Sequence, residues 1–125
     1  MLALEFARDQ HHQAARNHWR KLIANTPTII TTSYIFDEVV IFLNSRGFHT
    51  RAKVVGHRLL SSPAVTLIHI NPELFYEGWQ YFQYHDDKLY SLTDCISFVV
   101  MSKYGITQAL SFDQHFVQAG FITLP

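Results

Sequence analysis

Thr28-Ile29-Ile30-Thr31-Thr32-Ser33-Tyr34-Ile35-Phe36-Asp37-Glu38 changes period part-way through, and the fold follows from that change. Its first five residues are all β-branched, which is what a short buried strand requires. Ser33 can then cap a helix that runs to Arg46, with Gly47 as its stop. Between Tyr34 and Ser45 this helix is apolar nearly all round except for Asp37 and Glu38, so burial on most faces is expected. A carboxylate in such a place must find a partner or give up its charge. Neighbours on a helix are turned by about 100°, so only one of the two acids can face a given pocket, and Glu38 is the better candidate.

The same alternation continues outward from this stretch. Upstream, Leu2 to Asn25 reads as helix, broken near Arg8 to His12, with Ala15, Trp19, Leu22 and Ile23 on one side and Pro27 ending it. Downstream come a helix from His49 to Leu60 and a strand from Val65 to His69. Asn71 and Pro72 open the next helix, a cap followed by a first-turn proline, and Leu74, Phe75, Gly78, Trp79 and Phe82 form its inward stripe. After the polar loop His85-Asp86-Asp87-Lys88, the helix from Thr93 to Tyr104 has hardly a polar side chain and belongs in the middle of the molecule. Gly105 closes it. A strand at Gln108 to Leu110, a helix from Asp113 to Ala119 and a strand from Phe121 to Leu124 complete the chain. Strands separated by helices predict parallel pairing, hence an α/β fold: a three-layer α/β/α sandwich with a short parallel sheet, one domain over residues 1–125. In such sheets the working residues gather at the carboxyl ends of the strands.

Composition narrows the function. An apolar fraction of 48% with 16% charged residues describes a chain that buries a core rather than a disordered tail. The longest apolar runs fall far short of the roughly 20 residues that cross a bilayer. Met1 to Phe6 lacks the basic start and cleavage site of a secretory signal, and the single cysteine, Cys95, offers no disulfide framework, so a cytoplasmic location is expected. Net charge is zero, which argues against a protein that coats nucleic acid. Yet residues 1–60 carry eight Lys/Arg against four Asp/Glu, and the remainder two against six. A basic rim beside an acidic pocket suits a metal-assisted phosphodiesterase; scattered surface charge is the plainer alternative.

Glu38, Asp94 and Asp113 each fall at or just after a strand end or a helix start. Carboxylates gathered in a partly dry cleft repel one another, and protonation or a hard divalent cation relieves that repulsion. Mg²⁺ or Mn²⁺ suits oxygen ligands and supports metal-assisted hydrolysis. Taken singly, Asp113 could serve only as a helix cap and Asp94 only as a complement to its helix dipole, each worth about 1 kcal/mol.

Three blocks, Thr31-Thr32-Ser33-Tyr34-Ile35-Phe36-Asp37-Glu38-Val39-Val40, Tyr90-Ser91-Leu92-Thr93-Asp94-Cys95 and Leu110-Ser111-Phe112-Asp113-Gln114-His115-Phe116, together resemble the signature of the PIN domain family, especially its VapC-type toxin ribonucleases. The resemblance runs over almost the whole chain, and the ordered triple is far more specific than any one block. It implies a Mg²⁺- or Mn²⁺-dependent endoribonuclease, toxin to a small antitoxin and often a homodimer. By block match, Glu38, Asp94 and Asp113 are the acidic, metal-holding and catalytic residues, with Thr93 and Ser111 in supporting positions. PIN domains open with a hydrophobic strand ending in aspartate, whereas this chain starts at Met1-Leu2-Ala3-Leu4, just past it. The expectation is a chain without the first strand and the first acidic ligand, through a misplaced start, gene decay or a neighbouring chain that fills the gap.

Arg46, Arg51 and His115 are the candidates for contact with RNA. His11, His12 and His18 do not share one ligand face and read as a polar turn; His69 and His115 read as packed or capping residues. Cys95 reads as a small buried hydrophobe. Trp79, Tyr81, Phe82 and Tyr84 could stack on bases, although a helical aromatic stripe is more commonly core. Two functions compete: the metal-dependent ribonuclease, impaired by loss of the first acid, and a catalytically inactive PIN-like module that binds an antitoxin-like partner or itself. A domain that only binds nucleic acid is a third.

Overall fold

A computed structural model describes residues 29–111 and 113–124. The chain divides into two compact units, Met1–His69 and Ile70–Pro125. The expected helix over Leu2 to Asn25, the expected polar turn with His11, His12 and His18, and the expectation about an opening strand all fall outside the described residues.

In the first unit, strand β1 (Ile29–Thr32) leads into helix α1 (Ser33–Ser45), which is followed by helix α2 (His49–Ser61) and strand β2 (Val65–Ile68). The two strands are parallel, with Ile29 opposite Val65 and Thr32 opposite Ile68. The intervening helices form the long crossover that parallel pairing requires. Val39 and Leu43 of α1 meet Ala52, Val55 and Leu59 of α2, and Phe36 and Val65 pack around them. Gly56 leaves room for the Phe36 ring, which would lie 3.3 Å from a Cβ placed there.

Helix α1 departs from expectation at its start and on its outer face. Its cap is Thr32, whose hydroxyl accepts the Ile35 N–H at 3.2 Å, because Thr32 rather than Ser33 keeps the extended backbone a cap needs. Its outer face is open at Asp37, Glu38 and Ile41, the last 57% exposed. The stop at Gly47 is as expected: with φ at +79° it takes the left-handed conformation. That turn lets the Gly47 and Phe48 N–H groups donate to Asn44 and Leu43 carbonyls.

In the second unit, helices α3 (Pro72–Tyr84) and α4 (Leu92–Lys103) precede strand β3 (Gln108–Leu110), helix α5 (Gln114–Gln118) and strand β4 (Ile122–Leu124). Strands β3 and β4 are parallel, Gln108 opposite Ile122 and Leu110 opposite Leu124. Asn71 caps α3 through the Leu74 N–H and Pro72 occupies its first turn, both as read from sequence. Gly78 brings α3 close to α4: a Cβ there would collide with the Ile96 side chain and sit 3.2 Å from Ile96 Cα. Lys103 Nζ ties the same helices together from outside, 3.2 Å from carboxylate oxygens of both Glu73 and Glu77.

Helix α4 is buried on most sides, through Cys95, Ile96, Ser97, Phe98, Val100 and Met101, as its composition predicted. Helix α3 presents a different face from the one expected. Leu74 and Gly78 are buried, but Trp79 and Phe82 are 43% and 38% exposed and stack on each other, while Tyr81 joins the core. Tyr81 wins that place because its ring lies 5.7 Å from Phe98, the centre of an aromatic cluster with Tyr90, Phe116 and Phe121.

Candidate metal centre

The aromatic cluster places the acids. Phe98 sits one turn beyond Asp94 on α4, and Phe116 of α5 meets Phe98 edge-on at 5.0 Å. Seating Phe116 there carries the start of α5, with Asp113 and His115, back toward the start of α4. Asp94, Asp113 and His115 can then each offer a ligand atom within 4.8 Å of the others. Asp94 and His115 are half-buried and Asp113 is exposed, so the site opens to solvent.

Each carboxylate is also part of a helix start. Ser91 and Asp94 form a reciprocal capping box, the Asp94 N–H donating to Ser91 Oγ at 3.0 Å and the Ser91 N–H to Asp94 Oδ2 at 3.1 Å. Asp113 caps α5 by accepting the His115 N–H on Oδ1 at 2.9 Å. Behind it, Ser111 Oγ accepts the Asp113 N–H at 2.9 Å, and Ser111 N–H donates to Leu124 O of β4. The capping role that sequence offered for Asp113 is therefore real, Asp94 forms a capping box where a complement to the helix dipole was the plain alternative, and both coexist with the approach of these two acids. A cap needs one carboxylate oxygen and leaves the other.

His115 connects the two acids. Its Nδ1 lies 2.9 Å from Asp94 Oδ2 and 3.4 Å from Asp113 Oδ1, and its ring meets Tyr90 edge-on at 5.4 Å. Burial raises the Tyr90 hydroxyl above its ordinary value, with Asp87, Cys95 and Asp94 adding to the shift. Burial, and then the Asp94 charge, push the Cys95 thiol up to about 11. A fully buried thiol with so little thiolate is the inert hydrophobe expected of this position, not a nucleophile.

The remaining candidates lie as follows. Thr93 is half-buried in the first turn of α4, beside Asp94. Glu38, in the first unit, is exposed on α1, so the burial argued for it from sequence does not hold; Asp37 is exposed as well. Arg46 and Arg51, also of the first unit, are exposed; the Arg46 guanidinium lies 3.6 Å above the Phe42 ring and that of Arg51 5.7 Å above Phe48. His115, read from sequence as a packed or capping residue and as an RNA contact, packs its ring on Tyr90 and gives its N–H to the Asp113 cap, and its ring also reaches Asp94. The cap at Asp113 is a local signal; the reach of the His115 ring to Asp94 is not.

Two carboxylates with oxygens to spare suit a divalent cation in their chemistry. The PIN domain family model matches residues 1–122, nearly the entire sequence. This chain belongs to the PIN domain family. Among PIN proteins, the "23S rRNA-specific endonuclease VapC20" of Mycobacterium tuberculosis, found in two strains, is 34% identical over 120 residues, covering 96% of this chain and 88% of the relative. The crystal structure of M. tuberculosis VapC20, described as a "Sarcin-Ricin loop cleaving toxin", superposes with a TM-score of 0.84 at 34% identity, over 97% of this chain and 90% of that one. The three sequence blocks therefore identified the family and its mixed α/β fold with parallel strands, and Asp94 and Asp113 of two of those blocks stand side by side.

Proposed function

We propose that this PIN protein is a Mg²⁺- or Mn²⁺-dependent endoribonuclease that hydrolyses RNA phosphodiester bonds as the toxin of a cytoplasmic toxin-antitoxin pair, residues 1–125 working as one domain. The observation that carries this reading is the 34% identity over 120 residues to an enzyme named for endonucleolytic cleavage of 23S rRNA. The pairing of Asp94 with Asp113 supports it, because the carboxylates that the PIN resemblance marks as catalytic are close enough to share one cation. Glu38 is assigned as the third acid on the block match alone. Thr93 and Ser111 support Asp94 and Asp113, and Arg46, Arg51 and His115 face the RNA. A structured rRNA loop is the substrate class, an antitoxin-like protein and a second copy of the chain the partners.

A divalent cation held here supplies Lewis acidity toward the phosphodiester and toward the water that attacks it. The chain's own groups do the rest. Asp94 and Asp113 hold their orientation through the Ser91 and His115 N–H groups, and the exposed side of Asp113 admits a polyanion that would be repelled if the acids carried no counter-charge. Hard oxygen ligands favour Mg²⁺ or Mn²⁺ over softer ions.

The test is cleavage of ribosomes and of a 23S rRNA loop transcript with Mn²⁺ present, comparing the native chain with Asp94→Asn. The variant should lose at least about 100-fold in rate, beyond what loss of a supporting contact costs. Equal rates in the two proteins would refute the assignment. No cleavage by either, together with tight binding to a partner protein and no uptake of Mn²⁺, would support the inactive interaction module.

A further inference from the structure

Asp94 Oδ2 receives two hydrogen bonds, from the Ser91 N–H at 3.1 Å and from His115 Nδ1 at 2.9 Å, while Asp113 Oδ1 receives the His115 backbone N–H at 2.9 Å. Among the described residues, Asp94 Oδ1 and Asp113 Oδ2 accept nothing. We infer that His115 is a positioning residue that holds one oxygen of each carboxylate, its ring on Asp94 and its backbone on Asp113, and so leaves Asp94 Oδ1 and Asp113 Oδ2 free to take a cation. The inference rests on the cation-site reading above and assigns His115 a positioning task, not that of a ligand, beside its contact with RNA.

The chemistry fixes the direction of the ring bond. An ionised carboxylate only accepts, so the ring must carry its proton on Nδ1. The ring itself is held: its side chain is 26% exposed, Tyr90 meets it at an interplanar angle of 79°, and Phe116, the next residue, is seated against Phe98. A carboxylate pinned through one oxygen offers the other in a fixed direction, so less ordering is left for the moment of binding. Outer partners of this kind typically contribute 10- to 100-fold to metal affinity.

The experiment is a Mn²⁺ titration of the full chain, read by the electron paramagnetic resonance of the free ion, on the native protein, His115→Phe, His115→Asn and Asp94→Asn. His115→Phe keeps a ring against Tyr90 and removes the donor; it should weaken Mn²⁺ about 10- to 100-fold. His115→Asn retains an N–H near the same place and should recover most of that loss. Two measurements on the native chain need no variant. Long-range ¹H–¹⁵N correlation should find the His115 proton on Nδ1 in the metal-free protein, and pulsed resonance of bound Mn²⁺ should show no imidazole nitrogen. A bare Nδ1, an imidazole coupling that disappears in His115→Phe, or undiminished Mn²⁺ affinity in His115→Phe would each overturn the inference. Full binding by Asp94→Asn would instead remove the cation-site reading on which it stands.

Discussion

Asp113 shows how one residue carries two roles that substitution can separate. As the cap of α5 it accepts the His115 N–H, a task asparagine performs about as well as aspartate and alanine does not. Asp113→Ala is expected to cost about 1 kcal/mol in urea denaturation. Asp113→Asn should stay near native stability yet lose Mn²⁺ affinity, since it keeps the capping oxygen and removes the charge. Cys95 is the opposite case, a reactive atom silenced by its surroundings. Raising its pKa from 9.0 to about 11 lowers its thiolate fraction roughly a hundredfold near neutral pH. Alkylation by iodoacetamide at pH 8, followed by mass spectrometry, should therefore run at least about a hundredfold slower in the native chain than in urea. Comparable rates would mean that the thiol is not held as described.

Helix approach is decided by residues too small to notice. At Gly78 an added methyl meets the Ile96 backbone as well as its side chain, so α3 and α4 would have to separate. At Gly56 the neighbour is the rim of the Phe36 ring at 3.3 Å, which a small rotation can relieve. Gly78→Ala should accordingly destabilise by about 1–3 kcal/mol, the range for overpacking a close contact, and Gly56→Ala by less. Denaturant midpoints of the two variants check the order, and a reversed order would contradict the packing. The α3–α4 pair also bears on the site, because α4 carries both Asp94 and the Phe98 ring that seats α5.

At the scale of the molecule, three groups respond to alkali together. Tyr81, Tyr90 and Cys95 are all raised, each chiefly by burial. The folded chain holds these protons more tightly than the unfolded one. The Cys95 contribution to stability is complete below about pH 9, the ordinary thiol value, and is lost as pH rises through about 11, while those of Tyr81 and Tyr90 are complete below about pH 10, the ordinary phenol value, and are lost above it. Urea midpoints measured between pH 8 and 11 should fall with pH, and fall less steeply in Cys95→Ala. A flat profile in the native chain would show that these groups are open to water.

Sequence alone determined where strands and helices alternate, because capping and stop signals such as Asn71-Pro72, Gly47 and Gly105 are local, and period changes are visible within one window. It determined the family as well, since three ordered blocks form a pattern that needs no coordinates. Which face of each helix is covered was another matter. Trp79 and Phe82 obey the same helical period as Tyr81, and only the location of Phe98 decides which ring finds partners. Glu38 looked buried because its neighbours are apolar, although apolarity does not supply a covering surface. The reach of the His115 ring to Asp94 was likewise beyond a single sequence window. Its meeting with Asp94 spans 21 positions of chain and depends on Phe116 seating against Phe98, a contact between distant elements that no local pattern encodes.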